Sequence, residues 1–310
     1  MLVALLAAAV AQSVDESLVL KGPGLRARED GLRAAVEGRF SDALPLLKRA
    51  AGNNPPTRSA AERQAAAHTE NALGGTLKAL GRAAEAASAF ERAYALLHDR
   101  DSAGTDLAVV INNLGAARAD AGRVAEAEAL YSRALRLSSD RISGGDGEYD
   151  DDDDETSAAR VHRAEVLNNL ADLRHGAGRL EEARSLHAGA LSVRERVHGP
   201  RHISIAGSLN NVAVLLMDMR RHDEALPMLR RAAAITKGAA GQRHPQHATA
   251  LSNLAGALMQ LNRASEAREP LKRALAINKA ALGASHESTK AAAKDLRTCE
   301  AVALAEESRA

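Results

Sequence analysis

Apolar residues recur along this chain at i, i+3, i+4 and i+7, the spacing of one helix face, and do not alternate as in a half-buried strand. The pattern also repeats over a longer distance. Ile111–Ala127 (INNLGAARADAGRVAEA), Leu167–Ala183 (LNNLADLRHGAGRLEEA), Leu209–Ala225 (LNNVAVLLMDMRRHDEA) and Leu251–Ala267 (LSNLAGALMQLNRASEA) are copies of one unit. An acidic residue followed by Ala marks each repeat, at Asp42-Ala43, Glu85-Ala86, Glu126-Ala127, Glu182-Ala183, Glu224-Ala225 and Glu266-Ala267. The spacings between these marks are 43, 41, 56, 42 and 42 residues. The outlier is longer by 14, the length of a segment of unrelated composition at 142–155, so that segment is an insertion between intact repeats. Self-similarity at such a period is the signature of a repeat array.

Three columns then align. Ala43, Ala86, Ala127, Ala183, Ala225 and Ala267 are all Ala, as are Ala50, Ala93, Ala134, Ala190, Ala232 and Ala274 seven residues on. Twelve residues before the first column stand Gly31, Gly74, Gly115, Ala171, Ala213 and Ala255. Between the Ala columns sits a larger residue: Leu47, Phe90, Tyr131, His187, Leu229 or Leu271. Small residues let paired helices approach closely, and the larger one fills the remaining space. Leu114, Leu170, Val212 and Leu254 supply an apolar anchor on the first helix. Turn signals at Ala121-Gly122-Arg123 and Ala177-Gly178-Arg179 fall where a helix should stop.

This small–large pattern resembles the tetratricopeptide repeat family, whose common period is ~34 residues. The longer period, the Leu-Asn-Asn-Leu-Ala core and the loops Gly199-Pro200-Arg201-His202, Gly241-Gln242-Arg243-His244-Pro245 and Gly283-Ala284-Ser285-His286 are similar to the kinesin-light-chain subtype. The resemblance covers about Leu25 to Glu300, and is weakest in the first repeat, where Arg28 and Glu29 replace the Asn pair. No long heptad coiled coil accompanies it, so it implies the scaffold and not a motor-associated identity. The expected architecture is all-α: a right-handed α-solenoid of six helix-turn-helix repeats over residues 21–300. Ser288–Ala310 reads as one further first-type helix that caps the stack, its end and tail spanning 301–310.

Composition agrees with helices. Apolar residues make up 45% of the chain while aromatics are 2%, so the core is built from Ala and Leu and not from the residues strands favour. Lys and Arg (41) balance Asp and Glu (40), and few aromatics are present to stack bases, so nucleic acid is not an expected partner. A single cysteine, Cys299, excludes an internal disulfide. The apolar run Leu2–Ala11 is too short to span a bilayer. Residues 1–20 are either a secretory signal, with Ala9-Val10-Ala11 at its cleavage site, or an N-terminal extension; no Lys or Arg precedes the run. The first reading implies the secretory pathway, the second the cytoplasm.

The resemblance makes the first helices of the repeats the lining of a concave groove, and its asparagines the candidates for partner binding. Asn113, Asn169, Asn211 and Asn253 form one column; Asn71, Asn112, Asn168 and Asn210 form its neighbour. An amide offers donor and acceptor together, and so pairs with a peptide backbone whatever its sequence. The competing role is a ladder in which one Asn of each pair bonds the adjacent repeat, since buried polar groups must be paired. One turn on lie Lys78, Asp172, His175, Met217 and Met259, which line the same face or serve as core. The loop histidines His202, His244 and His286 lack a nearby second ligand and read as capping residues and not as a zinc site. The insertion's acidic run 144–155 (GGDGEYDDDDDE) reads as a solvated loop or a lure for a basic partner. No nucleophile elbow, phosphate loop, zinc-protease helix or dinucleotide fingerprint is present. The expected function is therefore a protein-interaction scaffold that holds a peptide or helix of a protein partner, with no enzyme activity, metal or small-molecule cofactor. The alternative is an assembly solenoid regulated by its acidic loop.

Overall fold

The computed structural model describes residues 23–52, 59–98, 105–142 and 154–307. The apolar run at 2–11, and residues 143–153 of the insertion, lie outside them. Thirteen helices and no strand are found among the described residues. In chain order the first repeat is α1 (Pro23–Val36) and α2 (Phe40–Gly52), the second α3 (Ala60–Ala79) and α4 (Ala83–Leu97). The third is α5 (Thr105–Asp120) and α6 (Val124–Ile142), and the fourth α7 (Asp154–Gly176) and α8 (Leu180–His198). The fifth is α9 (Ile203–Asp218) and α10 (His222–Ala239), the sixth α11 (Pro245–Gln260) and α12 (Ala264–Leu282), followed by α13 (Glu287–Glu307). The chain divides into two compact units, the first ending at Asn169 and the second beginning at Leu170. Each is an α-solenoid, a stack in which a helix packs on its hairpin partner and on the helix that follows.

The columns explain the packing. Every residue of both Ala columns is buried, and so are all six of the larger residues between them. In the first unit the fit is tightest. A Cβ added to Gly74 would stand 2.5 Å from Cε1 of Phe90, and one added to Gly115 would stand 2.8 Å from Cε1 of Tyr131. The rings therefore lie directly on bare helix backbone. In the second unit Ala213 and Ala255 face the slimmer Leu229 and Leu271, which leave room for a methyl group.

The turn inside each repeat is equally uniform. Gly38, Gly81, Gly122 and Gly178 take φ of 73–75°, the left-handed residue that ends a helix. The next residue, always Arg in these four repeats, donates its N–H back to the carbonyl five residues earlier, as in Arg82 to Leu77 (2.9 Å) and Arg123 to Arg118 (2.8 Å). The guanidinium of that Arg then grips the acidic residue three positions on: Arg82 and Glu85, Arg123 and Glu126, Arg179 and Glu182, Arg221 and Glu224, Arg263 and Glu266. These hydrogen bonds hold the carboxyls of Glu85, Glu224 and Glu266 below the usual carboxylate range. In the fifth and sixth repeats Arg220 (φ 61°) and Asn262 (φ 55°) occupy the glycine's place.

The last helix closes the stack. In register with Ala248, Ala255 and Leu258 of α11, all buried, α13 places Lys290, Arg297 and Glu300, all exposed. Its inner side still packs, through Ala292, Cys299 and Ala303, and the Cys299 thiol donates to the Ala264 carbonyl at 3.2 Å.

Candidate partner-binding surface

The asparagine columns sit on the first helices of the repeats. In the first unit they are bonded to each other. Asn113 on α5 donates its amide to Oδ1 of Asn71 on α3 at 2.9 Å, and Asn169 on α7 donates to Oδ1 of Asn112 on α5 at 2.8 Å. Each rung joins one column to the other column of the preceding repeat. Asn112 is fully buried and Asn168 nearly so. The helix around Asn71 is closed as well, with residues 65–77 buried except for Asn71 itself, which is half-buried.

In the second unit the same positions are open. Asn211 is exposed, and Asn253 is half-buried with no side-chain hydrogen bond among the described residues. Asn210 buries Oδ1 without a partner. Along α9 the exposed residues are Gly207, Asn211, Val214 and Asp218, a stripe at helical spacing in which Val214 is 40% exposed. Their counterparts on α11, 42 residues on, are Thr249, Asn253, Gly256 and Gln260. The stripe is uncharged except at Asp218, whose Oδ2 lies 2.7 Å from Nε2 of His175.

The residues one turn on divide into two kinds. Lys78 pairs with Asp120 at 2.8 Å and His175 with Asp218, tying the ends of neighbouring first helices together. Asp172 is exposed and lies 3.4 Å from the buried His187 ring. Met217 and Met259 are half-buried and pack on the apolar clusters, with Met217 Cε 3.7 Å from where a Cβ on Gly256 would be. The methionines thus serve as core. The sequence did not single out Val214, because its neighbours in the repeat are Ala116, Asp172 and Gly256, and no column of apolar residues marks it.

The loop histidines cap helices. Nδ1 of His202, His244 and His286 accepts the backbone N–H two residues on, at 3.3, 3.2 and 3.2 Å. Among the described residues no group of three or more His, Cys, Asp or Glu could hold a metal ion, and no helix is long and apolar enough to cross a membrane.

Paired antiparallel helices, stacked in a 42-residue register with an open polar stripe on the first helix, define a helical-repeat scaffold for protein–protein interaction. Residues 162–213 and 204–280 match the family model of the tetratricopeptide repeat. No curated protein matches the chain in sequence. Among solved structures, BtubC (BKLC) from P. vanneervenii is 22% identical with a TM-score of 0.61, covering 80% of this chain and 91% of its own. A Podosopora anserina protein of kinesin-light-chain type, built of nearly identical TPR-like repeats, is 20% identical with a TM-score of 0.54, covering 68% and 94%. The apo form of RapI is 9% identical with a TM-score of 0.58, covering 92% and 99%. The long-period, kinesin-light-chain-like form of the tetratricopeptide fold is thus the one this chain adopts. Scaffolds of this family are typically non-enzymatic.

Proposed function

We propose that the protein holds a peptide or helix of a protein partner against the first-helix face of its second unit, on α9 and α11. The observation that carries this reading is the contrast between the asparagines. Asn71, Asn112, Asn113 and Asn169 bond one another, whereas Asn211 stands exposed and Asn253 carries no side-chain bond among the described residues. A face that keeps amides free beside an exposed Val214 and small residues at Gly207 and Gly256 suits a backbone laid close to the helices, with uncharged side chains facing the stripe. Asn210, with its buried and unpartnered Oδ1, marks where a donor from the partner or water would be received. Asn168 is buried and lies in the first unit.

The test compares two double variants. Asn211→Ala with Asn253→Ala is expected to abolish capture of the native partner in pull-downs from the source cells, with helicity by circular dichroism unchanged. Asn71→Ala with Asn112→Ala is expected to lower stability and to leave capture intact at low temperature. Capture that survives the first pair overturns the reading.

A further inference from the structure

The histidines at the repeat boundaries cap the helices that follow them. All three caps lie in the second unit, and each depends on a lone pair at Nδ1. A protonated imidazole carries a hydrogen on that nitrogen, so it no longer accepts the backbone N–H and instead places positive charge against the positive end of the helix. By contrast, α3 in the first unit is capped by Ser59, whose hydroxyl accepts from the Glu62 N–H while the Glu62 carboxylate takes the Ser59 N–H.

We propose that His202, His244 and His286 form an acid-sensitive latch: neutral, they fix the first turns of α9, α11 and α13, and protonated, they release those turns together and loosen the partner-binding face. The binding part of this statement rests on α9 and α11 being the face that holds the partner.

The surroundings decide how each latch responds. The His202 ring stacks on His198 of α8 with centroids 4.5 Å apart, and its Nδ1 also lies 2.8 Å from Oγ of Ser204. Nearby cations include Arg201, which precedes His202 in the chain, Arg194 of α8, which donates to Ser208, and Arg231 of α10, which donates to the Pro200 carbonyl. The carboxylate of Glu195 is held by Arg231 at 2.6 Å. Burial, the neighbouring His202 and Arg194 push His198 below the ordinary imidazole range. His244 follows Arg243 and precedes the buried His247, whose Nδ1 meets Oγ1 of Thr236 at 3.0 Å and whose Nε2 has no partner. Burial, then Arg273 of α12 and Lys237 of α10, lower His247 as well. His286 has Glu287 beside it and Lys290 one turn on, so it is the cap with a carboxylate at hand.

A histidine whose proton affinity falls on folding contributes stability above the ordinary imidazole range, and that stability is lost as pH drops through it. His198 and His247 therefore act with the caps.

Hydrogen exchange on the full chain tests the latch without a partner. The triple variants His202→Asn/His244→Asn/His286→Asn and the Ser equivalent supply caps that do not titrate in this range. At pH 7.5 the wild type and the variants are expected to exchange alike in the first turns of α9, α11 and α13. At pH 5.5 those turns are expected to exchange about fivefold faster in the wild type than in the variants, the value of one lost cap of about 1 kcal/mol, while α3 shows no difference. Equal rates at pH 5.5 for both variants overturn the latch. Because this readout involves no partner, its failure leaves the assignment of the binding face untouched, and loss of that assignment leaves the latch measurable.

Discussion

The two units build the same repeat with opposite emphasis. In the first, Gly74 and Gly115 carry aromatic rings directly on the helix, asparagines bond across repeats, and α3 is covered along its middle turns. In the second, Ala213 and Ala255 carry leucines, the asparagine rungs are open, and α9 and α11 keep a stripe exposed. At Gly74, Gly115, Ala213 and Ala255 a bare backbone meets a ring or a methyl meets a branched aliphatic, so the two kinds of pair are alternative ways to fill the same space. The polar positions obey no such constraint. An Asn can be spent on a neighbour or left for a partner, and the repeat still folds. On the proposed function, one scaffold stiffens in one half and recognises in the other.

The largest effect expected from breaking this comparison is at Gly74. Gly74→Ala drives a methyl into Phe90 and should destabilise the first unit by about 3 kcal/mol. Adding Phe90→Leu recreates the pair found at Ala213 and Leu229, and a double-mutant cycle in urea should recover most of the loss. Failure of that rescue would show that the two halves are not built on interchangeable pairs. Next comes the rung at Asn112, which is fully buried. Asn112→Ala strands the amide of Asn169 and should cost about 1–2 kcal/mol, whereas Asn211→Ala should leave the urea midpoint unchanged. The smallest effect is at the turns of the second unit. Arg220→Gly and Asn262→Gly relieve left-handed side-chain strain and should each raise stability by about 0.5–1 kcal/mol, visible as a shift in the denaturation midpoint.

Much of this was legible in the residues. The Ala columns, the larger residue between them and the Gly-Arg turns gave the hairpins and their register, because close helix packing admits few alternatives at those points. The small–large pairing at Gly115 and Tyr131 is visible in the text as soon as the repeats are aligned. The division of labour among the asparagines was not. Asn112 and Asn210 share a register position, but Oδ1 of the first accepts from the amide of Asn169 and Oδ1 of the second has no hydrogen-bond partner. Neighbouring helices decide that, and a one-dimensional pattern does not record them. The same holds for Arg220, a residue with no sequence mark of the left-handed turn that its glycine counterparts announce.

The charges on α13 carry a consequence for how such an array changes length. Lys290, Arg297 and Glu300 stand where another repeat would need two alanines and a leucine. A duplicated 42-residue block inserted anywhere upstream meets compatible neighbours on both sides and leaves that final face as it was. Repeat number is thus free to drift while the terminus stays fixed, and three substitutions, Lys290→Ala, Arg297→Ala and Glu300→Leu, would turn a stop into an adhesive end.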